Sequence, residues 1–235
     1  MNPRLVIILS VLACFPVAAE PVNVRFLAWD ETIALRQLSS AGSPGGIEGL
    51  HPLQRTRDYK VEVEEGTFML FAEDKAGAEG GPPSLAVKIK EGMRHPLVLL
   101  LPKPGSPTGL ATMVIEDDES SFKWGSVRAF NATPRDLAVS VGAEGKLLPA
   151  GWKAVDYQPE ADRTVPVMIV LPEELKKAAP ERRPLFSTVW TGEAEVRSLA
   201  IIVPGTDPRL GPVAVKVISE DRRVLAAERA AVSNR

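Results

Sequence analysis

Apolar and polar residues alternate with a period of two along much of the chain. Val22, Val24 and Phe26 are interleaved with Asn23 and Arg25, and Tyr59, Val61 and Val63 with Lys60, Glu62 and Glu64. Leu85, Val87 and Ile89 are interleaved with Ala86, Lys88 and Lys90. Side chains of a strand point alternately to its two faces, so this rhythm predicts strands with one face on a core and the other in water. Two runs, Thr67–Ala72 and Leu97–Leu101, are apolar throughout, which predicts strands buried on both faces, with two domains meeting there. Ile33–Leu38 reads as a looser strand and Met113–Glu116 closes the set. Helical periodicity is nearly absent, and 21 prolines with Gly, Asp and Asn clusters punctuate the runs. The chain is therefore expected to be all-β.

The pattern occurs twice. Pro83–Pro102 lies over Leu185–Pro204 without a gap at an offset of 102, so that Leu97–Leu101 falls on Leu199–Val203. At the same offset Ala111, Met113 and Ile115 fall on Val213, Val215 and Val217; at 103, Val24-Arg25 falls on Val127-Arg128. A period this long marks two copies of a domain-sized unit rather than a solenoid. The second copy supplies strands at Val127–Phe130, Leu137–Val141, Lys153–Tyr157, Val167–Leu171, Phe186–Trp190, Leu199–Val203 and Val213–Ile218. About seven short strands per roughly 100 residues predict two tandem immunoglobulin-like β-sandwich domains related by internal duplication. They would span residues 20–119 and 120–221, with the acidic stretch Glu116–Ser121 as a solvated boundary. Residues 222–235, rich in Ala, Glu, Arg and Leu, form a tail that favours a short helix, marginal unless it docks.

The N-terminus adds a compartment. Arg4 precedes an apolar run, Leu5–Ala13, and Val17-Ala18-Ala19 offers small residues before Glu20, the layout of a secretory signal peptide over residues 1–19. No later stretch approaches the roughly 18 uninterrupted apolar residues of a membrane-spanning helix. The expected product is exported, periplasmic or extracellular. The single cysteine, Cys14, lies inside this leader, where Val11-Leu12-Ala13-Cys14 loosely fits a bacterial lipobox, so a lipid anchor at Cys14 is the competing processing route. Cleavage after Ala19 removes the thiol, and with it disulfides, thiolate metal sites and a cysteine nucleophile.

Charge and motif content narrow the chemistry further. A net charge of −2 with no basic stripe argues against nucleic acid as a partner. His51 and His95 each precede a proline, and no spacing suggests metal ligation or a cofactor site. No G-x-S-x-G elbow marks a nucleophile. The run Glu116–Glu119 lacks the alternation of a calcium loop, and Asn131-Ala-Thr133 matches a glycosylation sequon without further support. Of the four tryptophans, Trp29 and Trp190 sit in strand patterns and are expected in cores. Trp124 and Trp152 flank glycines at strand edges and, with Tyr157, are the candidate ligand-binding side chains, an aromatic platform for a sugar ring or a partner residue.

Trp124-Gly-Ser-Val-Arg-Ala-Phe-Asn-Ala-Thr-Pro134, followed by Leu137–Val141 and Leu147–Gly151, resembles the opening of β-sandwich domains of unknown function in the bacterial envelope. The whole chain is similar to uncharacterised exported bacterial proteins built of two such units. The resemblance brings no catalytic residues. With no catalytic motif in the chain, and with sheet edges and end loops on rigid sandwiches as the contact surface, the expected function is a non-catalytic binding or assembly module of the bacterial cell envelope whose partner is a protein or a glycan, the alternative being a carbohydrate-binding accessory protein that uses the exposed aromatics.

Overall fold

Fifteen strands, two α-helices and a short 3-10 helix (Pro172–Lys176) make up the computed structural model, which describes residues 20–43, 45–77, 80–178 and 181–233. The expected leader over residues 1–19, with Cys14, lies outside these. In the first half β1 (Glu20–Ala28), β3 (Tyr59–Val63), β6 (Pro96–Pro102) and β7 (Leu110–Glu116) form a sheet in the order β3-β1-β6-β7. A second sheet has the order β2-β4-β5, from Leu38–Ser40, Thr67–Ala72 and Ser84–Lys88.

The second half contributes β8 (Val127–Asn131), β9 (Leu137–Val141), β10 (Glu144–Leu148), β11 (Val155–Tyr157), β12 (Thr164–Val170), β13 (Phe186–Thr191), β14 (Val196–Pro204) and β15 (Val213–Asp221). Its sheets run β11-β8-β14-β15 and β10-β9-β12-β13. Helix α2 (Arg222–Ser233) follows directly, its start capped by Asp221, whose Oδ1 accepts from Arg223 N at 2.7 Å.

The sheets β3-β1-β6-β7 and β11-β8-β14-β15 share one arrangement. β1 runs parallel to β6 with Arg25 opposite Leu97, and β8 runs parallel to β14 with Arg128 opposite Leu199. Each is flanked antiparallel, by β3 and β11 on one side and by the hairpins β6–β7 and β14–β15 on the other. A parallel central pair departs from the antiparallel sheets of an immunoglobulin sandwich.

In each half the two sheets press their apolar faces together. Val24, Phe26, Val61, Val98 and Leu100 meet Phe68, Leu70 and Val87 in one core; Ala129, Tyr157, Ala200 and Ile202 meet Val139, Val167 and Ile169 in the other. A third apolar layer joins the halves back to back. It comprises Leu27, Leu97, Leu99 and Ile115 from the first and Phe130, Leu199, Ile201 and Ile218 from the second, with Phe122 between. These eight positions correspond strand by strand under the register above. At about 1.5–3 kcal/mol per buried side chain, the layer is of the same order as the net stability of a whole domain, about 5–15 kcal/mol. The halves form one block. β6 is thus buried on both faces, as its unbroken apolar run predicts.

Four expectations are corrected. Ile33–Leu38 is not a strand: Asp30 caps a short helix α1 (Glu31–Ala34), its Oδ1 accepting from Ile33 N at 2.9 Å, and β2 begins only at Leu38. Thr67–Ala72 buries one face rather than two, because only a single sheet covers it; Phe68, Leu70 and Ala72 point inward while Met69 is exposed. The last strand matches at 103 rather than 102: Ile115 pairs with Leu97 and Ile218 with Leu199, so Ile218, not Val217, takes the place of Ile115. The segment after Gly142, where no strand was expected, is β10, whose Leu148 completes the second core.

Candidate functional site

The acidic boundary, expected in water, is where the molecule concentrates buried charge. Arg25 on β1 and Arg197 on β14 face the junction between the halves, and Arg55 reaches it from the segment before β3. Asp117 follows β7, and Glu220 sits near the end of β15. Arg25 donates through Nη2 to Asp117 and through Nη1 to Glu220, so one guanidinium ties the two halves. Arg55 Nε donates to Asp117 Oδ2 at 3.0 Å, and Arg197 Nε to Glu220 Oε2 at 2.8 Å. Arg197 also donates to the carbonyls of Asp117 and Phe122 at 2.9 and 3.1 Å. Asp117 is 1% exposed and Arg25 2%. Burial alone would push both carboxyls up, but the surrounding arginines outweigh it and hold Asp117 and Glu220 below the usual range. Asp118 is buried too, accepting from the backbone N–H of Arg94 and His95 at 3.2 and 3.0 Å. Phe122 lies between the guanidinium groups of Arg128 and Arg197, 4.7 and 5.2 Å from its ring centroid. The stretch is a clasp rather than a linker.

Beside the clasp a cavity of 690 Å³ opens between β1, β3 and α2. Three buried polar atoms beside it, Arg25 Nε, Asp58 Oδ1 and His95 Nδ1, have no hydrogen-bond partner among the described residues. Arg25 Nε and Asp58 Oδ1 stand 3.9 Å apart, too far to bond directly. The other half shows the same pair closed. Arg128 and Asp156 occupy the corresponding places on β8 and β11, and Arg128 bonds both carboxylate oxygens, at 2.7 and 2.8 Å. Arg25 is drawn away by Asp117 and Glu220, and Asp58 by Arg229 of α2, whose Nε donates to Asp58 Oδ2 at 3.2 Å.

A second recess lies on the far side of the second half, between the edge strands β13 and β15. Its volume is 220 Å³, and Val189, Trp190, Val196 and Val217 line it. In the first half β5 lies against β7, and Val114 packs on the core. Val217, in the position corresponding to Val114, is 42% exposed, and Val189 on β13 is 62% exposed.

The three candidate aromatics do not share a surface. Tyr157 is a core residue at 1% exposure, its hydroxyl donating to Val139 O at 3.2 Å and its acidity pushed down by burial. Trp152 packs in the junction, edge-on to Trp29 at 5.8 Å between centroids, its backbone held at φ 67° where a bulky residue is uncommon. Trp124 stands at the clasp, Nε1 donating to Glu119 at 3.1 Å and Arg197 lying 4.7 Å over its ring. Trp190 and Trp29 are partly buried against cores. His51 is exposed, its Nδ1 accepting from Leu53 N at 3.0 Å. Asn131 of the sequon is fully buried, bonding Arg135 O and Leu148 O at 2.8 and 3.1 Å.

Among the described residues no group of three or more His, Cys, Asp or Glu could hold a metal ion, and no helix is long and apolar enough to cross a membrane. The chain matches no family model and no curated protein.

Proposed function

We propose that the chain is a non-catalytic binding or assembly module of the bacterial cell envelope. In this reading its contact surface is the open side of the second half. The observation that carries it is the contrast between corresponding positions: Val114 is partly buried against the core where β5 meets β7, whereas Val217 and Val189 stand exposed beside a recess of mixed apolar and polar lining between two unpaired strand edges. An edge strand offers a row of free N–H and C=O groups, and an adjoining apolar recess supplies specificity for alternate side chains of an added strand. The partner is then an extended protein segment with small aliphatic residues at every second position. The leader-like residues 1–19 support export.

A photo-crosslinking residue placed at Val189 or Val217, in cells of a bacterial host, tests this reading. Adducts identified by mass spectrometry as envelope proteins are expected from both positions and not from Leu35, which is equally apolar and 84% exposed but lies in the other half. Absence of adducts at the recess, or the same adducts from Leu35, would sink the reading. The alternative of a glycan platform built from Trp124, Trp152 and Tyr157 loses support from the burial of Tyr157.

The same framework extends to origin. The matching strand orders, parallel pairs and junction positions support two immunoglobulin-like units derived from one duplicated ancestor, with the parallel central pair as their shared departure from that fold.

A further inference from the structure

Among the described residues, β13 is the only sheet edge longer than three residues that carries no charged side chain. Lys60 stands on β3, Lys88 on β5, Glu116 on β7, Lys146 on β10 and Lys216 on β15, whereas β13 reads Phe-Ser-Thr-Val-Trp-Thr. Charge on an edge guards it against pairing with another chain, and a β-branched edge without it is a template for one. The free groups of this edge can be placed. Pro166 of β12 lies opposite Val189, has no N–H, and turns its carbonyl to Gly142 N at 2.8 Å, on the side of β9. Val189 is therefore at a non-hydrogen-bonded position of the β12–β13 ladder and aims its own N–H and C=O away from β12, as do Ser187 and Thr191 two residues to either side. Gly192 keeps the alternation, donating to Arg163 O at 2.9 Å on the β12 side.

A second copy of β13 fits this edge. With a two-fold axis at Thr188, Ser187 of each copy falls opposite Val189 of the other, so the outward-pointing N–H and C=O groups meet on both sides of the axis. The inner side chains match as well: Thr188 meets Thr188 of the second copy and Phe186 meets its Trp190, pair types that stabilise antiparallel strands. All three are only partly buried, and Trp190 lines the recess, so the second copy's Phe186 comes to the mouth of that recess. Charge complements the register. Antiparallel pairing sets the start of one β13 beside the end of the other, and Arg183 falls opposite Glu193, both exposed. Arg183 gives its backbone N–H to Glu174, whose carboxylate is already paired with Lys177 at 2.6 Å, and Glu193 has no ion pair among the described residues. The neighbours do not count: Arg182 donates to the carbonyls of Lys177 and Leu175, and Glu195 faces Arg222. An axis at Val189 would instead set Phe186 against Gly192 and part Arg183 from Glu193.

We propose that the chain forms a two-fold symmetric dimer by antiparallel pairing of β13 at Thr188, which joins the sheet β10-β9-β12-β13 of each copy into one continuous sheet across the axis. The dimer takes the same edge as the proposed envelope partner, and its regulatory consequence rests on that reading: self-pairing is the resting state that shields the edge, and an added strand and a second copy exclude each other.

Sedimentation velocity of the full chain recovered from a bacterial host, with no other protein present, tests the pairing. A dimer with a dissociation constant on the order of 10 μM is expected. Val189→Pro removes an N–H that points away from β12, so β13 keeps its own ladder while the dimer is lost at concentrations up to about 100 μM. Arg183→Glu and Glu193→Arg should each weaken the dimer about tenfold, and the two together should restore it to within about threefold of the parent, because each copy then meets the reversed pair. The double reversal reads the register without relying on the proline variant. The proposal is overturned by a parent chain that stays monomeric up to about 100 μM, by a dimer that survives Val189→Pro, or by one that the double reversal leaves as weak as the single changes do. None of these results touches the envelope-partner reading, which stands or falls on the adducts from Val189 and Val217 in cells. Adducts from those positions to a second copy of this chain alone would sink that reading and support this one.

Discussion

Asp117 has no water-exposed oxygen and is reached by three guanidinium groups, so its charge is bound to the junction rather than to solvent. Breaking one partner of a buried ion pair leaves uncompensated charge and typically costs about 3–5 kcal/mol. Asp117→Asn should therefore lower the urea-unfolding free energy by about that amount; a loss under about 1 kcal/mol would mean the clasp is idle. The same carboxyls set the acid limit. Asp117 and Glu220 are held below their ordinary values in the folded state, so their stabilisation is complete above the unfolded value of about 4 and disappears as pH falls through their depressed values. The unfolding free energy should be level near neutrality and fall steeply below about pH 4, with a shallower fall in Asp117→Asn. Part of this was visible in the sequence, where Val24-Arg25 recurs as Val127-Arg128. The partners were not, because Arg25 meets Asp117 and Glu220 across 92 and 195 positions and nothing local distinguishes Asp117 from Glu116 and Glu119, which stay in solvent.

At the level of elements, the period-two rhythm located many of the strands because these bury one face, and alternation records that directly. It failed where another force decided. Asp30 supplies a cap that outweighs the β-branched Ile33, so the chain turns helical over α1. An unbroken apolar run meant burial on both faces for β6 but not for β4, since only β6 has a second sheet above it. The tail docks, as its composition alone could not decide. Arg229 contributes an ion pair to Asp58 and one to Glu119, both partly exposed and worth about 0–1 kcal/mol each, whereas Leu225 is buried at 7% exposure. Leu225 is thus the anchor of α2. Leu225→Ala should cost about 2 kcal/mol and raise hydrogen exchange across residues 222–231 without altering that of β6; unchanged exchange in α2 would assign the anchoring to Arg229 instead.

Across the whole molecule, the junction uses corresponding positions from both halves, which makes the sheets β3-β1-β6-β7 and β11-β8-β14-β15 near matches of one another. A surface of this kind is self-complementary. Residues 20–119 expressed alone should therefore elute as a dimer or larger species, and Leu99→Glu should return them to monomer. A well-folded monomer of the unaltered half would show that the apolar layer is too weak to hold the halves. The repeat in the sequence aligned Leu97–Leu101 with Leu199–Val203, and these runs fall on β6 and β14, each paired in parallel with an earlier strand. The unbroken run Leu97–Leu101 also marked a meeting place of the halves, but not that Leu27 and Ile115 join it there, because that outer face emerges only once these residues are placed on one side of one sheet.

That layer also has a history within each molecule's own synthesis. At about 5–20 residues per second, the ribosome takes several seconds to add the second half after the first is complete. Throughout that interval the nascent chain carries a finished sheet whose outer side is bare leucine and isoleucine, with its natural cover not yet made. Two unfinished chains that fold this early would present the same surface to each other, a route to mispairing that the second half closes once it is made.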